Sequence, residues 1–185
     1  MSLRSEARNL PSARARRRLA LGVAALVAWS LVLAGCAPAV VGGSANTPVT
    51  PGPNGVAVAQ GGSYYLRFDL DMEQLGLAPR DLQATLWVPS GYASEVGDVT
   101  AMFGMHDATV AAGWRLELVQ VKAERATVTT SASFGRTRVD HTLWAVVRVD
   151  VPTGIVPGPY RFRATLQTRS GRAVPLAATL TVAAD

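Results

Sequence analysis

The chain has 185 residues, 49% apolar and 17% charged, enough for one ordinary domain with its own core plus a short additional segment. Of eighteen Lys and Arg and thirteen Asp and Glu, residues 1–35 hold six arginines (Arg4, Arg8, Arg14, Arg16, Arg17, Arg18) and one acid, Glu6, which leaves twelve of each sign from Cys36 onward. The formal charge of +5 therefore belongs to the N-terminus. This removes the charge argument for a nucleic-acid partner, and a lone cysteine excludes an internal disulfide framework.

Arg14 to Arg18 form a cationic patch, followed by the 16-residue apolar run LALGVAALVAWSLVLA from Leu19 to Ala34. A positive region followed by an apolar one is the layout of a secretory signal peptide. The run is short for a spanning helix, which needs about 20 apolar residues. It closes on Leu33-Ala34-Gly35-Cys36.

LAGC resembles the lipobox of bacterial lipoproteins, in which a leucine and two small residues precede a cysteine. The resemblance implies that Gly35–Cys36 is the cleaved bond and that the Cys36 thiol carries a diacylglyceryl group. Small residues let an extended backbone enter a protease groove, and only a thiol forms the thioether. Two or three acyl chains hold a protein to a membrane where one holds it marginally. The implied domains are a helical lipoprotein signal peptide over 1–35, a lipidated Cys36 with a tether over 36–54, and a folded domain over 55–185. The implied location is exported and lipid-anchored, at the cell membrane or the outer membrane. An uncleaved anchor with an incidental cysteine is the alternative, and it too places residues 37–185 outside the cytoplasm.

Residues 37–62 carry no charge, show no helical period, and contain prolines at 38, 48, 51 and 53. Proline removes backbone donors and stiffens a chain toward extended forms. Ala37 to Asn54 therefore read as a flexible, disordered tether, and GVAVAQ (Gly55 to Gln60) as a first edge strand.

From Ser63 the alternation has period two, the mark of half-buried strands. Tyr64, Leu66, Phe68 and Leu70 share a face. In QATLWVP the same pattern points Ala84, Leu86 and Val88 inward. WRLELVQV begins with Trp114, Leu116 and Leu118 on one face, and Val119 and Val121 then switch parity, which suggests a bulge. RATVTTSASF is Thr-rich and β-branched. In RVDHTLWAVVRVDV, Val139, His141, Leu143, Ala145, Val147 and Val149 face one way. Tyr160, Phe162, Ala164 and Leu166 pair with the strand from Val174 to Val182, and Gly171 supplies a turn with positive φ. The expected fold is all-β, a two-sheet β-sandwich of about eight strands.

The C-terminal stretch VPGPYRFRATLQTRSGRAVPLAATLTV resembles the end of bacterial immunoglobulin-like and fibronectin-III-like modules, with Tyr160 similar to a tyrosine corner. This implies an immunoglobulin-like sandwich and says nothing of activity.

Catalysis finds little support. Histidine occurs twice, at His106 and His141, and Asp140 and His141 are strand neighbours that point to opposite faces. No nucleophile-elbow or zinc-ligand spacing is present, so neither an enzyme nor a cofactor is expected. In MFGMHD, Met102, Met105 and His106 offer two thioethers and an imidazole suited to Cu(I). The competing reading is core methionines beside a loop histidine. Asp69, Asp71 and Glu73 read as a solvated acidic edge rather than a calcium site. Trp87 and Trp144 fall at outward positions, where exposed aromatics mark a partner or glycan surface; the competing reading is that they lie under a loop. The leading expectation is a non-enzymatic, lipid-anchored sandwich with a binding or structural role toward an envelope protein or glycan. The alternative is a periplasmic copper carrier.

Overall fold

Alternation of apolar and polar side chains is carried into nine strands in the computed structural model, which describes residues 43–129 and 137–184. They are β1 (Val56–Val58), β2 (Ser63–Leu70), β3 (Trp87–Gly91), β4 (Ser94–Asp98), β5 (Phe103–Thr109), β6 (Arg115–Thr129), β7 (Thr137–Asp150), β8 (Gly158–Thr168) and β9 (Ala173–Val182). One sheet has the order β1-β9-β8-β5 and the other β2-β7-β6-β4-β3. With the β3–β4 hairpin set aside, β9-β8-β5 facing β2-β7-β6 is the strand order of an immunoglobulin-type sandwich. The first strand pairs parallel to the last, Val56 opposite Leu180.

The inward faces are those the alternation marks. Leu66, Val147 and Val149 of one sheet and Phe162, Leu166 and Leu180 of the other are 1% exposed or less. In register, Leu66 lies opposite Val147 and Phe68 opposite Ala145, while Phe162 lies opposite Ala178. Phe68 and Phe162 meet across the sandwich edge to face, with centroids 5.7 Å apart, a favoured geometry for aromatic pairs. Tyr160 Oη donates to the Val156 carbonyl at 2.6 Å. That is the back-bond of a tyrosine corner. Gly171 turns the β8–β9 hairpin at φ +86°.

Several elements depart from the sequence expectation. WRLELVQV from Arg115 and RATVTTSASF as far as Thr129 belong to one 15-residue strand, β6, and the expected bulge falls inside it, where pairing to β7 shifts between Leu118 and Gln120. That shift keeps Leu118 and then Val121 facing the core despite their odd spacing. β4 and β5 are additional strands. Their sequences, SEVGD and FGMHDAT, are polar and glycine-containing and carry no clean period. β3 starts only at Trp87, and of the three residues expected inward Ala84 packs on the core while Leu86 and Val88 do not. Leu86 is 67% exposed and Val88 51%, and Trp87 instead packs on the core. Gly97 lies opposite Trp87. A Cβ there would sit 3.2 Å from the indole and 2.5 Å from the Ala84 Cβ.

The expected tether is also shorter. Val49 joins the edge of β2, its N–H donating to the Tyr65 carbonyl at 2.8 Å and its carbonyl accepting from Arg67 N–H at 2.9 Å. Gln120 Nε2 donates to the Ala45 carbonyl at 2.7 Å. β7 lies between β2 and β6, so this strap crosses the outer face of the five-stranded sheet over β7. Val146, in register with Arg67 and Gln120, is fully buried there. The folded domain thus begins before residue 55.

Where β2 begins, Ser63 Oγ donates to Asp150 Oδ1 at 2.6 Å, and Arg148 Nε donates to the same oxygen at 2.8 Å. The Ser63 hydrogen bond, seconded by Arg148 against partial loss of water, holds the Asp150 carboxyl below its ordinary value of 3.8. A carboxyl acidified by folding stabilises the folded state above its unfolded pKa, and that contribution disappears as pH falls through the folded value. Ser63→Ala is expected to move the Asp150 pKa up toward 3.8 in an NMR titration and to weaken the acid-dependent part of stability. Packing gives a second expectation. Leu66→Ala should lower stability by about 2–5 kcal/mol in urea unfolding, whereas Leu86→Ala should stay within about 0.5 kcal/mol.

Candidate functional site

β6 and β7, at 15 and 14 residues, are longer than the strands of the facing sheet. Beyond Ala123 and Leu143, the last core residues of this hairpin, the inward face continues as Arg125 opposite His141 and Thr127 opposite Val139. β4 adds Glu95 opposite Arg125. The result is an open recess of about 630 Å³ whose lining, including Pro89, Glu95, Arg125, Val139 and His141, comes entirely from the five-stranded sheet and its turns. Val139 is 54% exposed, although its parity marks it as inward.

A row of Glu95, Arg125 and His141 crosses three strands of this recess. Arg125 is bonded to Glu95 at 2.5 Å and lies 4.5 Å from the centroid of the Trp87 ring. Opposite charges facing across strands and a guanidinium on an aromatic face each add modest stability at such half-exposed sites. Chemically, this is a charge-compensated ledge of donors and acceptors beside an apolar rim, suited to polar contact with a partner. Asp140 does not belong to it. It bonds Arg138 at 2.9 Å, next along the strand from His141 but on the other face.

The outer face of the same sheet carries a second groove, of about 580 Å³. Leu86, Val88, Val96 and Trp144 give it an apolar floor, and Gln120, Lys122 and Asp98 line it too. Trp144 does face outward, as its spacing predicts, but it is only 8% exposed. The Arg67 guanidinium lies 4.3 Å from its ring centroid and is held in place by Asp69 at 2.8 Å. Trp87 is half-buried against the core. The expected exposed aromatics are therefore corrected, because one is roofed by an arginine and the other turned inward. The apolar side chains that reach solvent in this groove are Leu86 and Val88, which the sequence period had placed inside.

The structure does not bring Met102, Met105 and His106 together. Met102 ends a short 3-10 turn, and its sulfur accepts the Gln83 N–H at 3.4 Å. Met105 and His106 are successive residues of β5, so their side chains leave opposite faces. Met105 packs on the core, while His106 is exposed and lines a different shallow recess with Gln167 and Arg169. From Phe103 onward MFGMHD is a strand rather than a loop, so the Met105 and His106 side chains do not converge. The acidic edge is likewise split, because β2 ends at Leu70 and Asp71 instead accepts the Glu73 N–H at 2.8 Å. Among the described residues, no three His, Cys, Asp or Glu side chains cluster as a cation site. Gly35 and Cys36 lie outside the described residues.

No family model, curated protein or solved structure matches the chain.

Copper retention checks the separation of Met105 from His106. After incubation with Cu(I) and desalting, His106→Ala is expected to hold the same amount of copper as the parent. Loss of one equivalent in the variant would restore the carrier reading.

Proposed function

We propose that this chain is a lipid-anchored cell-envelope protein whose β-sandwich serves a non-enzymatic role, binding an envelope protein or glycan. The observation that carries the reading is Leu33-Ala34-Gly35-Cys36 at the end of an arginine-led apolar run. Export places the sandwich outside the cytoplasm, and acyl chains on Cys36 hold it at a membrane surface. The Glu95–Arg125–His141 ledge supports the binding half of the reading. Among the described residues it is a continuation of a core face with no strand of the other sheet over it, and Arg125 and Glu95 neutralise each other, so a partner can cover that pair without burying an unpaired charge.

Expression of the full chain in a bacterium that processes lipoproteins tests the anchor. The parent is expected to begin at Cys36, to carry acyl mass and to enter the detergent phase on partitioning. Cys36→Ala should retain residues 1–35 and carry no acyl mass. A parent chain with its leader intact and no added lipid overturns the proposal.

A further inference from the structure

Cys36 and the first described residue, Gly43, are seven Cα steps apart. At 3.3–3.6 Å per residue, a fully extended chain spans at most about 25 Å over that length. The strap that follows Gly43 lies on the outer face of the five-stranded sheet, where Ala45 accepts its hydrogen bond from Gln120. Gln120 also lines the apolar groove on that face, so the chain enters the domain one side chain away from Leu86, Val88 and Trp144. Leu86 at 67% and Val88 at 51% exposure line the same groove as Trp144 and Lys122. Adjacent exposed apolar side chains with a polar border mark an interaction surface, unlike single scattered ones.

We propose that this outer face rests against the bilayer that holds Cys36, with Leu86 and Val88 in the headgroup region and Lys122 toward anionic lipid. The proposal rests on the lipid anchor proposed above. A short linker ending on an apolar face confines that face near the membrane, so even weak apolar contact is sustained by a high effective concentration. The opposite face offers Arg161 and Arg163 on β8, both exposed. Bringing it to the bilayer would consume most of the linker's reach, since packed sheets stand about 10 Å apart with side chains beyond each.

The test uses the full, processed chain with one added cysteine, at Leu86, at Val88 or at Ala177. Ala177 is exposed on the outer face of the four-stranded sheet. Each variant is nitroxide-labelled and reconstituted in vesicles of phosphatidylethanolamine and phosphatidylglycerol. Thioether formation removes the Cys36 thiol, so label stoichiometry and intact mass report the anchor independently. Labels at residues 86 and 88 are expected to show several-fold lower access to a water-soluble nickel chelate than the label at 177, and higher access to oxygen. Equal nickel access at all three positions, or protection at 177 alone, on chains with acyl mass and one label overturns the orientation and leaves the anchor standing. Two labels per chain with no acyl mass overturn both.

Discussion

Everything in this domain depends on two apolar sheet faces being closed against each other. The edge-to-face contact of Phe68 with Phe162 marks that closure, surrounded by Leu66, Val147, Leu166 and Leu180. Side chains alternate along a strand with period two, so every strand must keep its phase over its whole covered length or place a polar residue inside. β6 has an odd spacing between Leu118 and Val121 and keeps its phase by bulging. Ser63, Arg148 and Asp150 fix the start of the β2–β7 pairing from outside.

The same requirement explains why the molecule has an open ledge. The β6–β7 hairpin outruns the facing sheet, and among the described residues its inward face continues with no strand opposite. Along β7 its side chains grade from the fully buried Ala145, through Leu143 and His141, to the exposed Val139. The β3–β4 hairpin widens this platform, and Trp87 anchors the hairpin to the core because Gly97 leaves room for the indole. Arg125 then covers the outer side of that ring and neutralises Glu95. One glycine and one cross-strand ion pair thus convert the end of a core face into a polar surface.

The outer face follows a different logic. Trp144 and Val146 are apolar residues on the solvent side of β7 and would be a liability if left open. Arg67 roofs the first, and the strap from Gly43 to Val49 lies over the second. Leu86 and Val88 remain uncovered next to the point where the chain enters the domain.

The sequence by itself determined what depends on near neighbours. The inward faces of β2, β7, β8 and β9 were legible, and so were the Gly171 turn and the bulge in β6. Each is written in a period or a turn residue, and local sterics enforce them. Only the tertiary structure decided that FGMHDAT is a strand, since its hydrogen bonds come from β8 and its own composition carries no alternation. Only register brought Glu95 and Arg125, thirty residues apart, into one row with His141. The same holds for the roof over Trp144, because alternation says which side of a sheet a residue faces and not what another segment lays across that side. Burial on an outer face is a property of long-range packing, and no local pattern encodes it.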